Sequence, residues 1–512
     1  MLFRAMARPM PIIRTDMSDE TNAGGLGGQD DIWNITEVIE RRAAENPAAM
    51  ALILADRVLS YRELVTAIHV VARVLLDRGV QPRQTLGVSM GQTALHLVTL
   101  LAIARIGAVA VPLHTSLPAA RRVQVARRFN VSAVVSGRGD MQLEGWPFIS
   151  LDGVDQAAGG TLLPPSGTQR DDPCWLSLSS GTTGEPKGVL RTHGYMLDRV
   201  GKSSFARGPH SRLLPMDLNF GIGFGQAMRM LVLGGAVVLA PNPLPAHLAY
   251  MVRSHAVTHW LVSPALAEEV LALLEDDGIH FPTLDYLQVV GDTPSPRLLD
   301  ALFRRFTPNV YVAYGVSEIG QIAIADPDTL RRAPASVGRV CPWVRLEVVD
   351  GDDRPVPAGQ SGRLRVKLDY MFNDYHLDPA HTSTCFRDGW YYPRDRARLD
   401  AEGLLYIEGR EDDVFNIGGG KVYFRDVDGA FETHPAVREA AAFVWRQAAG
   451  RDLLAIAVNI GAQVSGQQLL SWAERTLGPQ CPERIVFVDS FVRSETGKIL
   501  RDRLTENFSE RA

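Results

Sequence analysis

The chain has 512 residues, 46% of them apolar and 22% charged, a globular composition in a chain too long for one hydrophobic core. Its 53 basic and 58 acidic residues leave a formal net charge of -5, a balance that points neither to nucleic acid nor to an anionic membrane. The four cysteines (Cys174, Cys341, Cys385 and Cys481) lie far apart, without a CxxC pair or Cys/His ligand spacing, which argues against structural zinc and fits a reducing, cytoplasmic setting.

Residues 1–30 read as a disordered leader. No sustained apolar run precedes Arg14 and Asp16, the stretch 24–28 is glycine-rich, and Met17 is a second candidate start. Ser60-Tyr-Arg-Glu63 is a capping box, followed by apolar residues at 64, 65, 68, 71, 72 and 75 and by Gly79, which predicts one amphipathic helix. A buried strand is expected over 85–89, a helix over 93–105, and a strand over 108–111 that Pro112 breaks. The apolar run from Leu97 to Ala104 is far shorter than the roughly 18 residues of a membrane span. Short Val/Leu-rich runs recur at 133–136, 236–240, 257–262, 286–290 and 310–313, alternating with helical patterns. That rhythm predicts an α/β fold of helix-covered, largely parallel sheets.

From about residue 345 to 405 short strands and turns dominate, and a β-rich subdomain is expected there. Beyond Arg410, strands near 440–445, 453–458 and 485–488 and a helix near 466–477 predict a compact α+β unit. The expected division is a leader (1–30), a large N-terminal domain (31–410) and a small, mobile C-terminal domain (411–512).

The strand predicted over 175–179 runs into Ser179-Ser-Gly-Thr-Thr-Gly-Glu-Pro-Lys-Gly188. Such a loop offers backbone N–H groups and hydroxyls that wrap phosphate oxygens, and Lys187 adds an offsetting charge. The order of residues is not that of a Walker A loop. Read alone, such a loop is more often a flexible surface turn. The segment resembles the phosphate loop of the adenylate-forming superfamily, which includes acyl- and aryl-CoA synthetases, peptide-synthetase adenylation domains and luciferases.

Four further segments resemble that family in the right order. Tyr314-Gly-Val-Ser-Glu318 is similar to its Tyr-Gly-x-Thr-Glu, with Ser317 in place of Thr. Asp388-Gly-Trp-Tyr-Tyr-Pro-Arg-Asp395 is similar to Gly-Trp-x-x-Thr-Gly-Asp, with Pro393 and Arg394 replacing Thr-Gly. Gly409-Arg-Glu-Asp-Asp413 with Gly418-Gly-Gly-Lys421 marks the domain seam, and Glu495-Thr-Gly-Lys-Ile-Leu-Arg501 resembles the C-terminal lysine motif. Gly291-Asp-Thr-Pro294 stands where the family has a Gly-x-x-Pro turn.

The resemblance implies ATP and Mg2+ as reaction partners. Ser179, Ser180, Gly181, Thr182, Thr183 and Gly184 would bind phosphate, and Tyr314 would pack on adenine. Asp395 would take the ribose hydroxyls, Arg410 the ribose or phosphates, and Glu318 the Mg2+. Lys187, Ser317, Glu318 and Lys498 would form the catalytic set. Asp412 would be the hinge, and Gly419 would give a thiol access. The implied reaction joins a carboxylic acid to AMP and transfers the acyl group to CoA or a carrier-protein phosphopantetheine.

The segment Leu214-Pro-Met-Asp-Leu-Asn-Phe-Gly-Ile-Gly-Phe-Gly225 occupies the region lining the acyl pocket in that family. It has no carboxylate near Ile222, where an α-amino acid would need one. Asn219-Phe220 resembles the Asn-Tyr pair of aryl-acid activating domains, and with Gly291 it forms the expected acyl pocket. An aromatic acid such as a benzoate or hydroxybenzoate is the first reading. A medium or branched fatty acid is the alternative, and a non-catalytic nucleotide-binding member of the family is a rival of another class.

Overall fold

The computed structural model describes residues 33–154, 161–180, 186–202, 208–372, 374–417, 420–447, 451–493 and 497–509. The leader expected over 1–30 lies outside the described residues.

A six-stranded sheet forms the first layer, in the order Phe148–Ser150, Ala133–Ser136, Thr85–Val88, Val109–Pro112, Pro173–Ser180 and Pro186–Thr192. Its strands are parallel except for the last two, which form an antiparallel hairpin. Pro112 closes its strand because proline has no N–H to extend the ladder. Cys174, Trp175, Leu176 and Ser177 are all buried, so this strand is covered on both faces rather than alternating in and out.

A second, 15-stranded sheet lies behind it. Its parallel centre contains Met50–Ile53, Ala236–Val238, Arg212–Leu214, His259–Val262, Tyr286–Val289 and Val310–Val316. The helix Ala94–Arg105 is buried at every position but Leu95, and the apolar cluster around it draws on both sheets. A helix apolar on every side is stable only when enclosed, which is why this run is core. Ser60 and Glu63 cap the helix Tyr61–Asp77 reciprocally, as its sequence predicts. No helix among the described residues is long and apolar enough to cross a membrane.

The β-rich stretch is not a separate sheet. Val310–Val316 turns back into Gly320–Ala325, which pairs with Gly338–Val340, and that strand pairs with Leu404–Arg410. Asp395–Leu399, Gly362–Lys367 and Arg345–Val349 extend the same hydrogen-bonded array. Nucleotide-side motifs far apart in sequence are therefore carried on neighbouring strands.

The C-terminal part builds its own core. Val437–Trp445, Leu453–Ile460 and Arg484–Phe487 form a three-stranded sheet. The helices Phe424–Glu432 and Gly466–Leu477 contribute Phe431 and Leu469 to the cluster on one face, and Arg501–Phe508 contributes Leu504 to the other. The buried apolar clusters of this part run from Phe415 to Leu504, whereas those of the large part run from Ile35 to Leu405. The fold is thus a large N-terminal α/β body and a smaller C-terminal one, as the sequence predicts.

Candidate active site

Strand register sets the first group of residues. Asp395 and Arg410 are cross-strand partners, and the guanidinium Nη1 stands 3.4 Å from Asp395 Oδ1. Tyr314, on the strand Val310–Val316, donates its hydroxyl to Asp395 Oδ2 at 2.5 Å. A break in register follows Tyr314, and a Cβ on Gly315 would lie 2.5 Å from the Gly320 carbonyl oxygen. Only glycine fits that close approach of two backbones. Asp395 is buried, and burial pushes its carboxyl above the usual range. Arg410, Tyr314 and Lys498 pull in the opposite direction, so the Lys498 charge is within electrostatic reach of this carboxylate. Burial and the Asp395 charge hold the Tyr314 phenol protonated.

The approach of Lys498 depends on Gly497. Its φ of +86° is left-handed, and an added Cβ would come 3.0 Å from Ser263 Oγ. Ser263 caps the helix Pro264–Leu271 of the large body, so the lysine motif is seated directly on that body.

The glycine hairpin forms the second group. Ser179 and Ser180 end one arm, opposite Lys187 and Pro186. Gly181, Thr182, Thr183 and Gly184 lie outside the described residues. Lys187 is buried, with its ammonium 5.5 Å from the centre of the Tyr375 ring. The Tyr375 hydroxyl donates to Glu318 Oε1 at 2.7 Å. Glu318 is buried and Ser317 exposed. Arg191, on the hairpin's second arm, donates to the carbonyl oxygens of Ser317 and, at 3.1 Å, Glu318. Tyr195 and Arg199 both donate to the Ile319 carbonyl, at 3.2 and 3.0 Å. The hairpin and the Tyr314–Glu318 segment are thereby locked together.

Sequence reasoning missed Arg191, Tyr195, Arg199 and Tyr375. The available signal was Arg191 directly after the apolar Val189-Leu190 of a predicted sheet, because a charge in a buried strand needs a partner. Nothing local marks Tyr375.

Among the described residues no cluster of three or more His, Cys, Asp or Glu could hold a metal ion. The single buried carboxylate of Glu318 suits a hard cation held mainly by phosphate oxygens and water, which is the usual situation of Mg2+ beside a nucleotide.

The acyl-pocket segment packs on the hairpin strand, since a Cβ on Gly221 would lie 2.4 Å from Ser177 Oγ. Asn219 is buried, and its amide donates to Met90 O at 3.2 Å and to Asp217 Oδ1 at 2.8 Å. Phe220 stacks on His114 at 5.8 Å, and His114 Nε2 lies 3.4 Å from Asp217 Oδ2. Burial raises the Asp217 carboxyl, but hydrogen bonds from His114 and Asn219 outweigh it and hold it below the usual range. Gly291, with φ +96°, follows the strand Tyr286–Val289.

At the seam, Asp412 is paired with Arg394 at 2.6 Å, and Asp292 with Arg425 at 3.4 Å. The second pair joins the two bodies, which gives Asp292 a partner that its motif does not foretell. Gly419 lies outside the described residues.

The family model of AMP-binding enzymes matches residues 39–376, and that of the AMP-binding enzyme C-terminal domain matches 426–498. The chain is 29% identical to a 4-chlorobenzoate–CoA ligase of an Arthrobacter species, over 79% of this chain and 81% of the relative. It is 26% identical to a 2,3-dihydroxybenzoate-AMP ligase of Bacillus subtilis, over 93% of this chain and 94% of the relative. The o-succinylbenzoate coenzyme A synthetase of Bacillus subtilis, solved with ATP and a magnesium ion, superposes with a TM-score of 0.82 at 22% identity, covering 91% of this chain and 98% of that one. With two thirds of its length matched by one family model and the C-terminal model following in order, the chain belongs to the AMP-binding enzymes, the adenylate-forming superfamily that its motifs resemble.

Proposed function

We propose that this protein is an ATP-dependent acid–thiol ligase that activates an aromatic carboxylic acid, such as a benzoate or hydroxybenzoate, as its acyl-adenylate. It then passes the acyl group to the thiol of CoA or of a carrier-protein phosphopantetheine, with AMP as the leaving group. The observation that carries this reading is the convergence of Tyr314, Asp395, Arg410 and the charge of Lys498, contributed from three stretches of chain.

The substrate carboxylate attacks the α-phosphorus of ATP, forming the acyl–phosphate bond as the bond to pyrophosphate breaks. Two anions must meet, so the protein's work is to position them and to offset their charge. Asp395 accepts from the ribose hydroxyls, the Tyr314 ring packs on adenine, and Arg410 holds Asp395 in place. Lys187 and the loop N–H groups would offset the charge of the departing pyrophosphate, while Lys498 meets the incoming carboxylate. Mg2+, held by Glu318, supplies charge neutralisation on the phosphates when bound. The thiol step follows when the small body turns about Asp412, withdrawing Lys498 and bringing Gly419 to the site.

Support for an aromatic acid comes from Phe220, an apolar ring at the mouth of the helix Gly221–Val232, and from the benzoate ligases among the relatives. Acid-dependent exchange of labelled pyrophosphate into ATP tests the reading across benzoates, cinnamates and fatty acids. Exchange with benzoates in preference to fatty acids is expected. Exchange confined to fatty acids overturns the substrate class, and exchange with no acid overturns the ligase. Adding CoA or a phosphopantetheinylated carrier protein then separates the two acceptors.

A further inference from the structure

Tyr375 belongs to no motif singled out in the sequence, yet its side chain touches both Lys187 of the hairpin and Glu318. It is buried, and its hydroxyl donates to Glu318 Oε1 at 2.7 Å. The face of the same ring lies 5.5 Å from the Lys187 ammonium. Because a phenol has one proton and a carboxylate only accepts, the 3.3 Å contact between the Tyr375 and Tyr391 hydroxyls runs from Tyr391 to Tyr375. The order of donation is Tyr391 to Tyr375 to Glu318.

The tyrosine is itself fixed from several sides. Its N–H donates to Thr382 Oγ1 at 2.9 Å, and its ring meets Phe386 edge-on at 5.6 Å. The next residue, His376, donates its N–H to the Gly188 carbonyl of the glycine hairpin at 2.8 Å. Asp378 caps the following helix, Pro379–Cys385, and is paired with Arg128 at 2.6 Å. A hydroxyl held this firmly does not follow the carboxylate; the carboxylate follows it.

We infer that Tyr375 is a positioning residue for the nucleotide-bound metal: it occupies one oxygen of Glu318, turns the other toward the phosphates, and holds that carboxylate in fixed relation to Lys187. The inference rests on the reading of Glu318 as the Mg2+ carboxylate. Its physical basis is that a ligand's own hydrogen-bond partner sets its orientation and basicity. The ring and the hydroxyl have separate duties, the first toward Lys187 and the second toward Glu318, and substitution can part them.

The test is Mn2+ binding, read by electron paramagnetic resonance in the presence of α,β-methylene-ATP, with affinity for that analogue alone measured in EDTA. Tyr375→Phe keeps the ring and loses the hydroxyl. It is expected to weaken Mn2+ binding about tenfold while metal-free analogue affinity stays within about twofold. Tyr375→Leu also removes the surface under Lys187 and is expected to weaken the metal-free analogue as well. Loss of metal and metal-free affinity in equal measure in Tyr375→Phe overturns the inference, because that is the signature of a general structural role. Glu318→Gln separates the two levels. If it weakens Mn2+ while Tyr375→Phe does not, the inference about Tyr375 is wrong and the metal assignment stands. If Glu318→Gln leaves Mn2+ unchanged, the assignment of Glu318 is wrong and the inference falls with it.

Discussion

Arg394 adopts left-handed backbone at φ +64° and places its guanidinium 2.6 Å from the carboxylate of Asp412. The family motif that this segment resembles has glycine at that position, where left-handed backbone is free of strain. Here an arginine accepts the strain and pairs with the residue about which the small body is expected to turn. Both side chains are about two-fifths exposed, at 40% and 43%. An ion pair so placed contributes about 0–1 kcal/mol, whereas left-handed backbone costs a non-glycine residue on the order of 1–3 kcal/mol. The local balance therefore favours glycine for stability, so a glycine variant exposes any effect of the pair on the proposed turning of the small body.

Arg394→Gly is accordingly expected to leave the melting temperature unchanged or raised. It should speed thioester formation from supplied acyl-AMP by about two- to fivefold, the equivalent of about 1 kcal/mol or less. Single-turnover kinetics of the two half-reactions reads this. A fall in melting temperature together with a slower thioester step would show that the pair stabilises the fold and nothing more.

Lys498→Ala removes an ammonium that acts on the buried Asp395 from a glycine-seated turn. Adenylation is expected to fall a hundred- to thousandfold, about 3–4 kcal/mol, as for other preorganised electrostatic groups. Thioester formation from supplied acyl-AMP should remain largely intact. Equal losses in both half-reactions would contradict the turning of the small body.

Arg191→Met tests the lock between the hairpin and the Tyr314–Glu318 segment. Its removal leaves the Ser317 and Glu318 carbonyls without their guanidinium donor, at a cost of about 1–3 kcal/mol for the buried acceptor at Glu318. A lower melting temperature and a raised KM for ATP are expected together. Normal KM in a destabilised variant would confine Arg191 to the fold.

Glu432 gives the C-terminal body a pH dependence. Burial first, then the charges of Asp428 and Glu439, push its carboxyl up to about 8. The folded state thus keeps a proton that the unfolded chain releases in the ordinary glutamate range. Between roughly pH 5 and 8 the native state binds more protons, so stability falls as pH rises through that window and levels off above it. Melting temperatures from pH 5.5 to 9 should show the decline, and Glu432→Gln should flatten it. Parallel curves for the two proteins would exclude Glu432 as the source.

What the sequence reveals is set by how local each signal is. The Ser60–Glu63 cap, the helix Gly466–Leu477 and the short parallel strands depend on neighbours a few residues away, and they occur where their patterns predict. The order of the phosphate-loop, Tyr314, Asp395 and Lys498 segments is legible because each is a compact string. The joining of the β-rich stretch to the main sheet is not, because its links pair Ala323 with Val340 and Gly338 with Leu405. Tyr375 and Glu318 meet across 57 positions, and Asp292 and Arg425 across 133. No short window of sequence contains either pair.

The separation of the apolar clusters has a consequence for the life of the molecule. The described contacts between the two bodies include the Asp292–Arg425 pair, the stacking of Arg396 on Tyr423 at 5.0 Å, and the Gly497–Ser263 approach, while the buried apolar clusters stay on their own sides. Parting them wets ions and backbone, which water accepts readily, and bares little oily surface that would stick to other chains. If the small body undocks at each cycle, as proposed, the motion can in this way be repeated many times in a crowded solution without clumping.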